Sequence, residues 1–250
     1  MSLKIYEIFH SLQGETSRIG LPTVFVRLTG CPMRCTYCDT AYAFSGGGNM
    51  EITEIMQKVA EFGTQYVTVT GGEPLAQKEC YTLLAALCDA DYSVSLETGG
   101  AMDIAPVDVR VSVILDIKTP ASNEDKNMLW GNVNHIKAKD EIKFVLCNRN
   151  DYDWAKDKIT ELKLTEKCPI LFSPSFHDLK TEELASWILA DKLSVRMQVQ
   201  LHKILWGEKP GVWGLHWNFV LVLPASHSFL RQMNNNGLSF AHYRAFILIW

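Results

Sequence analysis

No stretch of the 250 residues supplies the roughly 20 consecutive apolar side chains that a membrane-spanning helix needs. Residues 1–10 also lack a basic patch leading into an apolar segment, so neither a secretory signal nor an anchor is expected, and the cytoplasm is the expected compartment. A basic cluster is missing too. Lys and Arg total 24 against 28 Asp and Glu, a net charge of −4, and they are scattered, which excludes the electrostatic footprint of a nucleic-acid or anionic-membrane binder and favours a small-molecule substrate. The seven cysteines are not an even, dispersed set: three crowd within eight positions while Cys80, Cys88, Cys147 and Cys168 stand apart. That distribution does not suit the disulfide framework of a secreted protein and does suit metal binding. Internal repeats are absent, and the only low-complexity stretch, Ser45-Gly46-Gly47-Gly48, reads as a flexible turn.

What is present is the balance of a folded protein, 47% apolar and 21% charged. The length fits one catalytic domain. Strand-like runs occur at 23–28, 66–70, 93–97, 111–117, 141–147, 170–173 and 195–200. Helical patterns lie between several of them, at 51–62, 74–89, 151–162 and 181–191. In the first of these, Ile52, Ile55, Met56 and Val59 follow the i, i+3, i+4, i+7 rule and Gly63 supplies a stop. Strands alternating with helices make βαβ units, hence an α/β fold with a parallel sheet whose chemistry sits at the carboxyl ends of the strands. The motifs obey that rule. A cysteine cluster follows the run ending at Leu28, Gly71-Gly72-Glu73-Pro74 follows the next, and Thr98-Gly99-Gly100 the third.

Cys31, Cys35 and Cys38, spaced C-x3-C-x2-C, offer three soft thiolates on one loop. A structural zinc site wants four ligands, so the triplet alone is incomplete for zinc, whereas a cubane on three thiolates keeps one iron open. Cluster, zinc completed from elsewhere, and free thiols remain the alternatives at this point. His10, His135, His177 and His202 show no mutual metal spacing and read as structural or surface residues. The four dispersed cysteines read as small core residues.

With Tyr37 before the last cysteine, the triplet resembles the signature of the radical S-adenosylmethionine (SAM) superfamily, and Gly71-Gly72-Glu73-Pro74 resembles that superfamily's second motif. The resemblance implies a [4Fe–4S] cluster on Cys31, Cys35 and Cys38, with SAM chelating the open iron and cleaved by one electron to a 5′-deoxyadenosyl radical. It places Tyr37 near the adenine, where simple packing of the loop is the alternative, and Gly72 against SAM. Phe9-His10-Ser11-Leu12-Gln13-Gly14-Glu15, Phe25-Val26-Arg27-Leu28-Thr29-Gly30-Cys31 and Cys38-Asp39-Thr40 further resemble the 7-carboxy-7-deazaguanine synthases.

That narrower likeness implies an incomplete parallel (β/α)6-type barrel. It would convert 6-carboxy-5,6,7,8-tetrahydropterin to 7-carboxy-7-deazaguanine with release of ammonia, in queuosine and other 7-deazapurine pathways. It places Leu12, Gln13, Gly14, Arg27 and Thr70 at the substrate. A guanidinium at Arg27 suits a carboxylate, a surface ion pair being the alternative, and an ordinary turn is the alternative for Gln13-Gly14. It also places the Thr40 oxygen on Mg²⁺, a role that a lone threonine, normally a cap or a solvated hydroxyl, would not suggest. Glu97, Asp116, Ile117, Lys118, Ser173, Pro174, Ser175 and Phe176 take the SAM-facing positions. For Glu97 a structural carboxylate and for Lys118 a solvated amine are the alternatives.

The segment from Gln200 to Gly207 resembles the family's closing strand and the residues approaching the substrate. The likeness ends near Val212. Residues 1–212 are therefore expected to be the catalytic domain and 213–250 an atypical tail, poorly ordered or foreign to the family. A flavodoxin or ferredoxin as electron donor and a homodimer are what the resemblance implies. Two rivals share parts of the pattern: a glycyl-radical activase, which needs a protein-sized docking surface but neither Arg27 nor Thr40, and a non-catalytic zinc or iron–sulfur module, which needs four protein ligands and no SAM.

Overall fold

The computed structural model describes residues 1–207; the expected tail 213–250 and the domain boundary at 212 lie outside the described residues. In chain order the elements are strands β1 (Ser2–Leu12), β2 (Pro22–Leu28) and β3 (Gly48–Glu51), helix α1 (Ile52–Glu61), β4 (Tyr66–Gly71), α2 (Cys80–Asp89), β5 (Ser93–Thr98) and β6 (Ser112–Ile117). They continue with β7 (Glu141–Leu146), α3 (Arg149–Glu161), β8 (Ile170–Pro174), α4 (Thr181–Asp191), β9 (Arg196–Met197) and α5 (Leu201–Trp206). One sheet of nine strands runs β3-β1-β2-β4-β5-β6-β7-β8-β9. From β2 to β9 every pairing is parallel, while β1 is antiparallel to both β2 and β3. No pairing among the described residues joins β3 to β9, so the sheet is an incomplete barrel: six full parallel strands plus the two-residue β9, open on one side.

The parallel strands form because their outward positions are apolar. Val24, Val26 and Leu28 of β2, Val67 and Val69 of β4, Leu96 of β5, and Val113, Leu115 and Ile117 of β6 pack in one core with Ile55 and Val59 of α1, Leu83, Leu84 and Leu87 of α2, and Tyr152 and Ile159 of α3. Strand side chains alternate, so the intervening residues point into the barrel. Those residues include Arg27, Thr68, Thr70, Ser95, Glu97, Asp116 and Lys143. A barrel interior is ordinarily filled by branched apolar side chains. A polar one marks a site.

Four sequence expectations need correction. The 195–200 run yields only the two-residue β9, and two strands went unseen. β1 alternates only until a register shift between Ile5 and Glu7, after which both faces are half-buried and the period-2 signal is lost. β3 begins inside the glycine stretch expected to be a flexible turn. There Gly47, at φ +67°, lies so close to the Ile5 carbonyl and the Thr29 hydroxyl that a Cβ could not be accommodated, so the turn is packed rather than loose. Segment 74–89 splits into a 3-10 turn at Pro74–Ala76, capped where the Leu75 amide donates to Glu73, and α2. Finally, the expected closing strand after Gln200 is α5. Leu201 donates its amide to the Gly14 carbonyl at 3.0 Å, which carries the chain away from the sheet edge.

Candidate active site

The polar interior encloses a cavity of about 370 Å³. Its floor is the turn that joins β1 to β2. The Gln13 side-chain amide donates to Thr68 Oγ1 (3.2 Å) and Glu97 Oε1 (3.3 Å), and Thr70 Oγ1 donates to Glu97 Oε2 (3.0 Å). Burial raises the pKa of Glu97 above its ordinary value, with Lys143 pulling the other way. Glu97, expected among the SAM-facing residues with a structural carboxylate as the alternative, bonds through its carboxylate to Gln13 and Thr70 in the floor.

A chain of charges crosses the interior beside it. Lys143 Nζ lies 2.7 Å from Glu15 Oε2 and 3.3 Å from Asp116 Oδ2, and Lys118 Nζ lies 3.1 Å from the same Asp116 oxygen. Burial disfavours the charge on Asp116, but Lys118 and Lys143 outweigh it and hold the carboxyl below its usual range. Burial equally opposes the charges of Lys118 and Lys143, and their carboxylate neighbours more than compensate, raising both amines. Lys118 is therefore a buried, paired cation and not a solvated amine.

Arg27 forms the wall on β2. It is 7% exposed, and its Nε donates to Glu7 Oε1 at 2.8 Å while the Tyr42 hydroxyl donates to the same oxygen at 3.2 Å. The ion pair is thus inside the barrel, not on the surface. Glu7 takes the Nε edge, and the two terminal nitrogens form the fork that matches a carboxylate.

The rim is the loop after β2. Cys31, Cys35 and Cys38 are half-buried free thiols that line the cavity. Burial pushes the Cys35 thiol up to about 11, and it raises Cys31 against the opposing backbone hydrogen bond at Met33. The loop is fastened to the segment after β6. Thr36 donates its amide to Ser122 O (3.2 Å) and its hydroxyl to Ala121 O (2.8 Å), and the Arg34 amide donates to Glu124 at 2.6 Å. The Arg34 guanidinium, in turn, donates to the carbonyls of Cys31 and Met33 at 2.7 Å each.

At Gly72 a Cβ would strike the Gly30 carbonyl and Cys31 Cβ, so only glycine lets the end of β4 approach the cysteine loop. Next to it Glu73, fully buried, accepts from the Thr98 hydroxyl and the Gly99 amide at 2.9 Å, tying the ends of β4 and β5 together. Thr40 lines the cavity with its hydroxyl 3.7 Å from Cys38 Sγ. It precedes the 3-10 helix Ala41–Phe44 without making a side-chain cap.

Of the expected site residues, Leu12, Gln13, Gly14, Arg27, Tyr37, Thr40, Thr70, Gly72, Glu97, Asp116, Lys118, Ser175, Phe176 and the three cysteines line this one cavity. Ile117 does not: alternation turns its side chain into the helix-covered core. Ser173 and Pro174, buried in β8, are not among the residues that line the cavity. His202, expected to be structural or on the surface, lines the cavity against Gly14, and burial lowers its pKa. Glu7, Glu15 and Lys143 were missed. Lys143 carried a signal, since a charged residue between the apolar Ile142 and Phe144 of a strand must point inward. Glu15 had only its place after Gly14.

The donor set suits an iron–sulfur group: three half-buried thiols share one loop over the cavity, and thiolate sulfur is the ligand such a cluster takes. The Tyr37 hydroxyl and Asp116 Oδ1, buried beside that loop, have no hydrogen-bond partner among the described residues. Buried polar atoms of this kind are partnered when a site is filled.

Comparison with known proteins agrees. The radical SAM superfamily model matches residues 25–163. A 7-carboxy-7-deazaguanine synthase of Chlorobaculum tepidum is 46% identical over 207 residues, covering 82% of this chain and 94% of that protein. One from Koribacter versatilis is 39% identical over 221 residues, covering 82% and 97%. The crystal structure of QueE from Escherichia coli matches with a TM-score of 0.67 over 80% of this chain and 94% of that one, at 21% identity, a likeness of fold. The chain therefore belongs to the radical SAM superfamily and, within it, to the 7-carboxy-7-deazaguanine synthase family.

Proposed function

We propose that this chain converts 6-carboxy-5,6,7,8-tetrahydropterin to 7-carboxy-7-deazaguanine with loss of ammonia, as a radical SAM lyase of queuosine and 7-deazapurine biosynthesis. One juxtaposition carries this function: a three-thiol loop faces, across a single cavity, the Arg27 fork and the bonded Gln13–Glu97–Thr70 floor. With a [4Fe–4S] cluster and SAM bound, the site gains a one-electron source of a carbon radical able to take a hydrogen atom from the substrate.

Everything else falls to the chain's own side chains. Cys31, Cys35 and Cys38 hold the cluster, and the backbone at Gly72 meets the amino group of SAM. Tyr37, Asp116, Lys118, Ser175 and Phe176 border the SAM side. Arg27 takes the substrate carboxylate. Gln13, Gly14 and Thr70 meet the pterin, whose edge of donors and acceptors matches the amide, hydroxyl and carboxyl groups of the floor. Glu97, buried, accepts from Gln13 and Thr70 and so fixes the orientation of the two side chains that meet the pterin. The Thr40 oxygen takes Mg²⁺, which keeps water or substrate oxygens as its other ligands.

A one-electron protein donor such as flavodoxin or ferredoxin meets the half-exposed cysteine loop, and the protein works as a homodimer in the cytoplasm. No helix among the described residues is long and apolar enough to cross a membrane. The activase and metal-module rivals give no use to the Arg27 wall or the polar floor.

The test is anaerobic incubation of the reconstituted protein with reductant, SAM, Mg²⁺ and the carboxytetrahydropterin, beside Cys35→Ala, with product followed by mass spectrometry. Product from the intact triad alone is expected. Cleavage of SAM to 5′-deoxyadenosine with the pterin untouched would sink the substrate assignment.

A further inference from the structure

The turn between β1 and β2 is fastened on its far side by contacts that none of the site chemistry uses. Thr16 sits at φ +70°, a left-handed backbone that a β-branched residue adopts only where its surroundings over-determine it. Three consecutive residues supply that determination. The Thr16 amide donates to Gln198 Oε1 at 2.8 Å, just beyond β9. The Ser17 amide donates to both carboxylate oxygens of Glu141 at 3.1 Å, at the start of β7. The Arg18 guanidinium donates to the Ser93 carbonyl (2.9 Å) and hydroxyl (3.0 Å), at the start of β5.

Glu141 is the hub. It is 4% exposed, and its Oε1 also accepts from the Arg196 guanidinium on β9 at 2.9 Å. One buried carboxylate thus joins the turn to the last strand, across the side where the barrel is open. A carboxylate is acceptor-only with about four lone-pair sites, so it can receive the amide and the guanidinium together. Its position at the amino end of β7, away from the carboxyl ends where α/β barrels do chemistry, leaves it no part in the reaction itself.

We propose that Glu141 is a positioning residue for the substrate: it pins the strained turn from the amino end of the barrel so that Gln13 and Gly14, on the cavity side, meet the substrate at a fixed depth. This rests on the assignment of Gln13 and Gly14 to the substrate. The turn transmits position because it is short and doubly closed. The Gln13 amide donates to the Leu21 carbonyl and the Gly20 amide to the Gln13 carbonyl, at 2.9 and 2.8 Å. On the inner side the Gly14 carbonyl holds the first amide of α5. Freeing Ser17 would let the Gln13 amide drift from Glu97 and Thr68 while leaving the Gly72 and Lys118 side of the cavity intact.

The experiment compares wild type with Glu141→Gln, which keeps the size of the side chain, and with Thr16→Gly, which relieves the backbone strain and so folds while loosening the turn. Four quantities are read: amide exchange of residues 14–18 by mass spectrometry, KM and kcat for the carboxytetrahydropterin, and reductive SAM cleavage without substrate. Both variants are expected to exchange faster in 14–18 and to raise KM about tenfold, with kcat changed much less and SAM cleavage unchanged. Unchanged exchange in Glu141→Gln overturns the proposal whatever the substrate does. Faster exchange with an unmoved KM overturns it as well, and so does SAM cleavage that falls in step with turnover, the mark of a general structural loss. If wild type itself does not turn over the pterin, the substrate assignment fails separately, and the exchange comparison decides the clamp.

Discussion

Lys143 Nζ lies 2.7 Å from Glu15 Oε2, joining a floor residue that follows β1 to the inner face of β7, 128 positions away in sequence. Both side chains are nearly buried, at 13% and 10% exposure, and the chain Glu15–Lys143–Asp116–Lys118 balances two negative against two positive charges. A buried pair of this kind gives little net stability, but removing one partner leaves an uncompensated charge. Lys143→Met is expected to cost about 3–5 kcal/mol in chemical denaturation. Adding Glu15→Gln should recover part of that loss. Strict additivity of the two single changes would show that the pair is not coupled.

Glu97 makes a prediction about pH. Its folded pKa is raised above the ordinary 4.5, first by burial and against the pull of Lys143. Between the two values the folded protein keeps a proton that the unfolded chain releases, so stability falls as pH rises. The contribution is fully present below the unfolded value and is lost as pH climbs through the folded one. Glu97→Gln, neutral at every pH, removes that slope. The stability of wild type relative to the variant should therefore decline with rising pH. A flat difference across the range would mean that Glu97 ionises in the fold as it does in the unfolded chain.

The six full parallel strands and α1 could be read from the sequence because their outward apolar positions repeat without interruption. β1 could not, because the shift between Ile5 and Glu7 breaks its alternation, and α5 could not, because what ends the sheet there is one bond from Leu201 to the Gly14 carbonyl. The site divides in the same way. Cys31, Cys35, Cys38 and Gly72 stand in contiguous motifs at strand ends, where local spacing carries the chemistry. The floor is built from pairs such as Glu15 with Lys143 and Ser17 with Glu141, separated by 128 and 124 positions, and no local pattern encodes such distances. Ile117 shows the converse: it lies within a motif, yet strand alternation sends its side chain to the other face.

Gly72→Ala tests the approach of β4 to the cysteine loop. The added methyl group meets the Gly30 carbonyl and Cys31 Cβ, neither of which is the end of a flexible side chain, so the loop itself must move. Overpacking of this sort costs about 1–3 kcal/mol. SAM affinity, measured by equilibrium dialysis on the reconstituted protein, is expected to fall at least about tenfold, since the displaced backbone is the part assigned to the amino group of SAM. Unchanged affinity with a normal iron content would remove Gly72 from the SAM site.

Thr40 offers the cleanest separation of a ligand role from a structural one. Its hydroxyl makes no cap on the 3-10 helix Ala41–Phe44, and its one close side-chain partner among the described residues is Cys38 Sγ at 3.7 Å, so the fold there has little use for it. Thr40→Val replaces the hydroxyl by a methyl group of similar size and should leave stability within about 0.5 kcal/mol of wild type. If the Thr40 oxygen holds Mg²⁺, the variant loses the stimulation of turnover by Mg²⁺, because a methyl group cannot coordinate a hard cation. Thr40→Ser, which restores the oxygen without the methyl group, should restore the stimulation. Reductive cleavage of SAM without the pterin serves as the internal control and should be the same in all three proteins. A Thr40→Val enzyme that responds to Mg²⁺ as wild type does would place the ion on other oxygens and leave Thr40 as a lining hydroxyl.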